Sequence, residues 1–224
     1  MKLIFASLFI ASQAMCQHVI KFTPTFGNDT LVFNKMYKSK QNDSLKINSL
    51  KLYFSSFVVK YKDGTTYTQT NSYHLLKWDE DHKAKTIALN LKQKPITSIS
   101  FNLGIDSTMN TAGALDGDLD PILGMYWSWQ SGYINFKIEG SSSSCKTHKN
   151  EFSFHVGGYL PPNNAVKKIT LQTSQQPIDK EINIGIDLSK FFDKTLLAKT
   201  NSVTIPSSKA VQAASILSKC FQVK

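Results

Sequence analysis

Arginine is absent from this chain of 224 residues; all 26 of its basic Lys/Arg positions are lysine, against 16 acidic residues, for a formal net charge of +10. Proteins that read base edges or clamp phosphates bidentately lean on the planar arginine fork. The lysines are also spread along the sequence instead of being bunched in it. The charge reads as a solvated basic surface, and nucleic acid is not an expected partner. Long hydrophobic runs are missing as well. Leu3 to Ile10 is apolar apart from Ser7, but it falls well short of the ~20 residues a spanning helix needs, and no later stretch reaches that length. With the basic start Met1-Lys2 and the Ala14-Met15-Cys16 segment after it, this stretch has the pattern of a secretory signal. The expected leader is therefore residues 1–16, which predicts an exported protein, periplasmic or extracellular. A lipid anchor through Cys16 competes with cleavage after it, but Met15 is bulky where such anchors prefer a small residue.

Cysteine is scarce too. Of the three, Cys16 goes with the leader, and Cys145 and Cys220 form the one pair left. Export permits a disulfide between them, so that pairing is expected. Hydrolase signatures fail: there is no Gly-x-Ser-x-Gly, no His-Glu-x-x-His and no glycine loop to cradle a phosphate. No nucleophile–base pair declares itself, and an enzyme is not expected.

What is present is alternation of apolar and polar residues, the two-residue period of half-buried strands. Ile134, Phe136 and Ile138 fall on one face. Phe152, Phe154 and Val156 repeat the pattern, as do Ile182, Ile184, Ile186 and Leu188. Further strands are expected at 19–22, 45–47, 50–61, 67–76, 86–91, 96–103 and 169–172. Asp63-Gly64 supplies a hairpin turn. Helix is confined to a shorter candidate at 188–197 and to a terminal one after Pro206-Ser207-Ser208, where a serine can cap the first amides. The prediction is an all-β chain: one antiparallel β-sandwich domain over residues 17–224 with a short C-terminal helix.

Candidate chemistry concentrates in the middle. Asp116, Asp118 and Asp120 alternate as in a Ca²⁺ loop, but position twelve is Trp127 instead of a bidentate glutamate, so they read as an acidic turn before Pro121. Of five histidines, His82 and His148 lie in polar loops. His74 sits on an expected strand, and His18 directly precedes one. His155 faces opposite to Phe154, ahead of Gly157-Gly158, where glycine allows a bulge or close backbone approach. Tyr126, Trp127, Trp129 and Tyr133 fall within eight residues. Such rings either fill the end of a β core, or present a platform on which a glycan or other ligand stacks.

Four blocks resemble the MbnP-like family, named after the methanobactin-cassette protein P. These are Leu50 to Ser56; Ser98 to Asp106 with Asn110; Leu119-Asp120-Pro121 followed by Gly124 to Tyr133; and Phe154 to Gly158. The resemblance implies an exported β-sandwich that binds copper. It implies a tryptophan, Trp127 or Trp129, oxidised to kynurenine by a dihaem peroxidase partner of the MauG type, and His155 as a copper ligand beside it. Thr111 follows Asn110 where the family pattern has a histidine, which leaves His18 and His74 as candidates to complete the metal set. The second reading is an extracellular glycan- or ligand-binding sandwich that uses the aromatic cluster.

Overall fold

The computed structural model describes residues 15–78, 84–130, 132–174 and 181–224. Residues 1–14 of the expected leader, the Cys16 side chain and His82 lie outside the described residues. In chain order the strands are β1 (Met15–Phe26), β2 (Asp29–Thr30), β3 (Met36–Lys38), β4 (Ser44–Tyr61), β5 (Thr66–Thr68), β6 (Tyr73–Trp78), β7 (Lys85–Lys92) and β8 (Ile96–Leu103), then β9 (Tyr126–Trp127), β10 (Gly132–Ser142), β11 (Glu151–Gly157), β12 (Lys167–Gln172), β13 (Glu181–Asp187), β14 (Ser202–Val203) and β15 (Phe221–Val223). Among the described residues three short α-helices join them: α1 (Ser107–Thr111), α2 (Leu188–Phe192) and α3 (Ser208–Leu217).

The strands form an all-β sandwich of two curled sheets. One has the order β15-β13-β1-β2, with β7 also on β1. The other has the order β12-β8-β4-β10-β11-β14, with β3, β5, β6 and β9 attached. Most ladders are antiparallel, as alternation predicts. The β1–β13 and β11–β14 ladders are parallel, which no hairpin could produce and which only the return of distant chain creates.

Two expected segments are divided differently in the structure, each at a local irregularity. The runs at 45–47 and 50–61 are one strand of 18 residues, β4. A register shift opposite Glu139 and Gly140 absorbs one residue there, which breaks the alternation without ending the strand. The expected strand at 67–76 instead splits into β5 and β6 around Asn71, whose φ is +50°. The Asp63-Gly64 turn forms as read, with Gly64 at φ +83° and the Asp63 carboxylate accepting from the Thr65 amide.

Between the sheets lies an aromatic core. Phe22 of β1 stacks on Phe54 of β4 at 4.4 Å between ring centroids, and Phe101 meets Phe54 edge-on at 5.3 Å. The third tryptophan, Trp78, is fully buried in the same core. Helix α3 packs Ala210, Ala213, Ala214 and Leu217 inward, one face at helical spacing, and the Ser207 hydroxyl caps it by accepting from the Ala210 amide.

The expected disulfide is not formed. Cys145 and Cys220 are free, buried thiols in different surroundings, Cys145 near Asp43 and Cys220 near Asp187. Burial pushes both thiols up, Cys220 to about 12, so neither offers an appreciable thiolate at neutral pH. The pairing rested on elimination, and elimination carries no geometry.

Candidate functional site

The outer face of the larger sheet carries a second, smaller core. Tyr53 alternates with Phe54 along β4 and so points away from the main interior. Around it gather Leu75, Ile105, Leu119, Met125, Trp127, Tyr133 and Ile134. The segment from Gly104 to Ile134 thus folds back as a lid on the sheet, and specific polar groups hold it there. The Ser55 hydroxyl donates to the Gly104 carbonyl at 2.7 Å. Gly104 has φ +113°, and a Cβ there would meet the Asn135 carboxamide at 2.4 Å, so glycine is required.

Asn110 is the main clamp. Its Nδ2 donates to the carbonyls of Ile105 and Asp106, and its Oδ1 accepts from the Tyr133 amide at 2.7 Å. Two of the three acids of the turn serve the backbone: Asp118 accepts from the Leu75 amide and Asp120 from the Ile122 amide, while Asp116 is exposed. The Tyr133 hydroxyl is bound in as well, donating to the carbonyls of Gly113 and Leu119. Tyr53 donates to the Asp118 carbonyl at 2.6 Å, and burial raises its hydroxyl well above the usual phenol range. Tyr53 and Tyr133 are therefore structural posts, and the four-ring stacking platform is not present. Of its members Tyr133 is 1% exposed and Trp127 is 8% exposed, whereas Trp129 is 63% exposed.

Trp127 sits on β9, paired with Gly132 at the start of β10. Its six-membered ring lies on Gly157 of β11, where an added Cβ would meet Cζ3 at 2.7 Å and the Tyr133 carbonyl oxygen at 2.6 Å. Gly157 is thus the seat of the indole, which explains the glycine after His155. Trp129 leans on Trp127 with ring centroids 5.7 Å apart. Beside the pair is a cavity of about 220 Å³, lined by Trp127, Gln130, Gly132, Tyr159, Asn163 and Pro206 among others. One indole is therefore seated at a cavity, and its neighbour stands in solvent.

His155 is on the same face of β11 as Gly157, two residues away. Its imidazole is engaged in the other direction: Nε2 lies 2.6 Å from Glu139 Oε1 on β10. The register places Lys137 opposite His155 and Glu139 opposite Ser153, on the side away from Gly157. The hydrogen bond from His155 holds the Glu139 carboxyl below its usual range, helped by the charges of His155, Lys137 and Lys51 and opposed by burial. Lys51 and Lys137 are directly opposite one another across β4 and β10. A depressed carboxylate contributes stability above its unfolded value and loses that contribution as pH falls through the folded value. In His155→Ala, the NMR titration midpoint of the Glu139 carboxyl is therefore expected to move up. An unmoved midpoint would show that the pair is not formed in solution.

The structure does not bring the expected histidines together. His18 is buried on β1 of the other sheet, on the face of Ile20 and Phe22. His74 on β6 has Nε2 3.2 Å from Gln69 Oε1 and its ring 5.8 Å from that of Phe57; burial lowers its pKa, partly offset by Asp118. Among the described residues no group of three or more His, Cys, Asp or Glu could hold a metal. Of the expected metal set, His18 and His74 stand in environments apart from that of His155, because alternation and sheet assignment point them apart. Glu139, the actual partner of His155, was missed. Alternation places it on the same side of its strand as Lys137, but only the register between β10 and β11 pairs it with His155.

The family model for MbnP matches residues 16–208. The chain belongs to the MbnP family. MbnP from Methylosinus trichosporium is similar in structure, with a TM-score of 0.62 over 88% of this chain and 87% of that one, at 15% identity, a level that speaks for the shared fold. No curated protein sequence matches the chain. No helix among the described residues is long and apolar enough to cross a membrane.

Proposed function

We propose that this MbnP-family chain is an exported protein whose paired indoles form an oxidisable site, with Trp127 the ring converted and Trp129 the contact through which electrons leave. The supporting observation is the arrangement of the pair: Trp127 is 8% exposed and lines the cavity, and Trp129, 63% exposed, is 5.7 Å from it. A ring in contact with a seated indole and open to solvent is positioned for a redox partner. Leu160, also exposed, lies on the wall of the same cavity and extends the apolar contact. The partner class, a dihaem peroxidase, comes from the family resemblance. The balanced change is two peroxide equivalents consumed, two oxygen atoms inserted across the indole C2–C3 bond and two waters released, giving N-formylkynurenine. Hydrolysis then releases formate and leaves kynurenine.

Copper belongs to this reading only after oxidation. The side chains as they stand do not make a copper centre, since His155 and Glu139 are a pair and no third donor joins them among the described residues. Kynurenine has a ketone oxygen and an aniline nitrogen that the indole lacks, and imidazole suits copper. His155 and the converted Trp127 would be the residues to hold it.

The test is to treat the purified protein with a dihaem peroxidase and hydrogen peroxide and to map peptide mass. A gain of about 32 Da, or about 4 Da after deformylation, is expected on the peptide holding both tryptophans. Trp127→Phe should abolish it, and Trp129→Phe should slow it. Copper competition titrations should show tighter binding by the oxidised protein, lost in His155→Ala. A product on Trp129 that persists in Trp127→Phe would sink the assignment.

A further inference from the structure

Four of the lysines that are dispersed in sequence gather in space around α2 and α3. On α3 and the turn after it, Lys209, Gln212, Ile216 and Lys219 recur every three or four residues and so share one side of the helix. Lys190 and Lys194, on and just beyond α2, form the facing wall. Between them runs a groove of about 550 Å³, lined by Lys190, Lys194, Gln212, Ser215, Ile216 and Lys219. It adjoins a smaller lobe of about 60 Å³ that shares Lys194, Gln212 and Ile216 and adds Lys209, Thr195 and Thr200. From Lys209 to Lys219 is about 15 Å at the helical rise.

Two features single out this groove. The first is uncompensated charge. Lys194, Lys209 and Lys219 have no hydrogen bond or ion pair from their ammonium groups among the described residues, and no acid lines either lobe. Of the nearby carboxylates, Asp187 offsets Lys190 alone, and none offsets the other three lysines. Asp187 accepts from the Gly27 amide and from the Ser189 amide and hydroxyl, with Lys190 at 3.9 Å, and Asp193 accepts from the Lys40 amide and pairs with its ammonium. Lysines gathered without a counter-ion repel one another, and a bound anion relieves that repulsion. The second feature is an orphan hydroxyl. Thr195, 6% exposed, lines the smaller lobe, and its Oγ1 has no partner. A buried polar group without a partner is costly and calls for an explanation. The lobe also exceeds the roughly 10–15 Å³ that one water needs.

We infer that the α2–α3 groove binds a phosphate-class oxyanion carried on a partly apolar body, with the lysines as its charge partners and the Thr195 hydroxyl as a donor. Lysine suits this role as a point charge for phosphate, and Ile216 with the lysine stems supplies an apolar floor. The groove is separate from the indole pair and does not depend on its oxidation.

Calorimetric titration with pyrophosphate, and sedimentation with phosphatidylglycerol or phosphatidylcholine vesicles, test this directly. Saturable pyrophosphate binding is expected. Lys194→Gln with Lys219→Gln should weaken it about tenfold or more, as the loss of ~1.4 kcal/mol requires. Thr195→Val, which keeps charge and shape, should weaken it several-fold while leaving the fold intact by circular dichroism. Lys38→Gln with Lys46→Gln, on β3 and β4, should leave it unchanged. Binding to phosphatidylglycerol vesicles but not to pyrophosphate, with the same variant pattern, would assign the groove to a lipid headgroup. Failure to bind either probe, equal weakening by the control pair, or indifference to both Thr195→Val and the groove lysines would overturn the inference.

Discussion

Asn110→Ala is expected to lower stability by about 2–4 kcal/mol. The residue is 2% exposed and all three of its polar contacts go to backbone. Truncation leaves the Tyr133 amide and the Ile105 carbonyl without these partners. An orphaned buried donor or acceptor costs more than the net worth of the bond it made. In a protein of this size the thermal midpoint should fall by roughly 5–15 °C. The loss should also be local in character. Tyr133 anchors the strand that pairs with Trp127, so tryptophan fluorescence should shift to the red before the β signal in circular dichroism is lost. A midpoint within a degree or two of the unsubstituted protein would show that the lid is held by its apolar contacts alone.

Gly157→Ala is expected to unseat Trp127. The added methyl would lie 2.6 Å from the Tyr133 carbonyl oxygen and 2.7 Å from Trp127 Cζ3. The carbonyl belongs to the adjoining strand and cannot move without opening the ladder. The indole is therefore the group displaced, and overpacking of this kind costs about 1–3 kcal/mol. The near-ultraviolet circular dichroism of the indole pair should change, and the yield of oxidised Trp127 in the peroxidase assay should drop. Unaltered near-ultraviolet spectra and full oxidation would mean that Gly157 does not position the ring. Together the two variants separate the lid's attachment from the indole's seat.

The same residues show how much could be read without coordinates. The alternating segments predicted strands at β7, β8, β10, β11 and β13 closely, because a strand with one buried face must place apolar residues at every second position. The serine before the terminal helix predicted its cap for a similarly local reason. The short strands β2, β3, β9, β14 and β15 carried no such signal; two or three residues are too few to show a period, and they exist because a neighbouring edge is there to pair with.

At the site, composition pointed to the aromatic block but could not divide it. Tyr133 and Trp129 are four residues apart; one is a buried post and the other an exposed ring. The difference comes from Asn110 and the turn carbonyls, which engage Tyr133 and leave Trp129 alone. Histidine 155 was legible as an outward side chain, whereas its carboxylate partner was not.

The order of residues along the chain settled those matters that depend on near neighbours: which stretches are extended, where a turn or cap falls, and which side chains on one strand share a face. Distances between remote segments were decided only on folding. The union of His155 with Glu139, the separation of the three histidines and of the two thiols, the seating of Trp127 on Gly157 and the gathering of four lysines around α2 and α3 all follow from register and sheet packing. Those arise from the collective burial of apolar surface, and no local pattern encodes the partner that such burial selects.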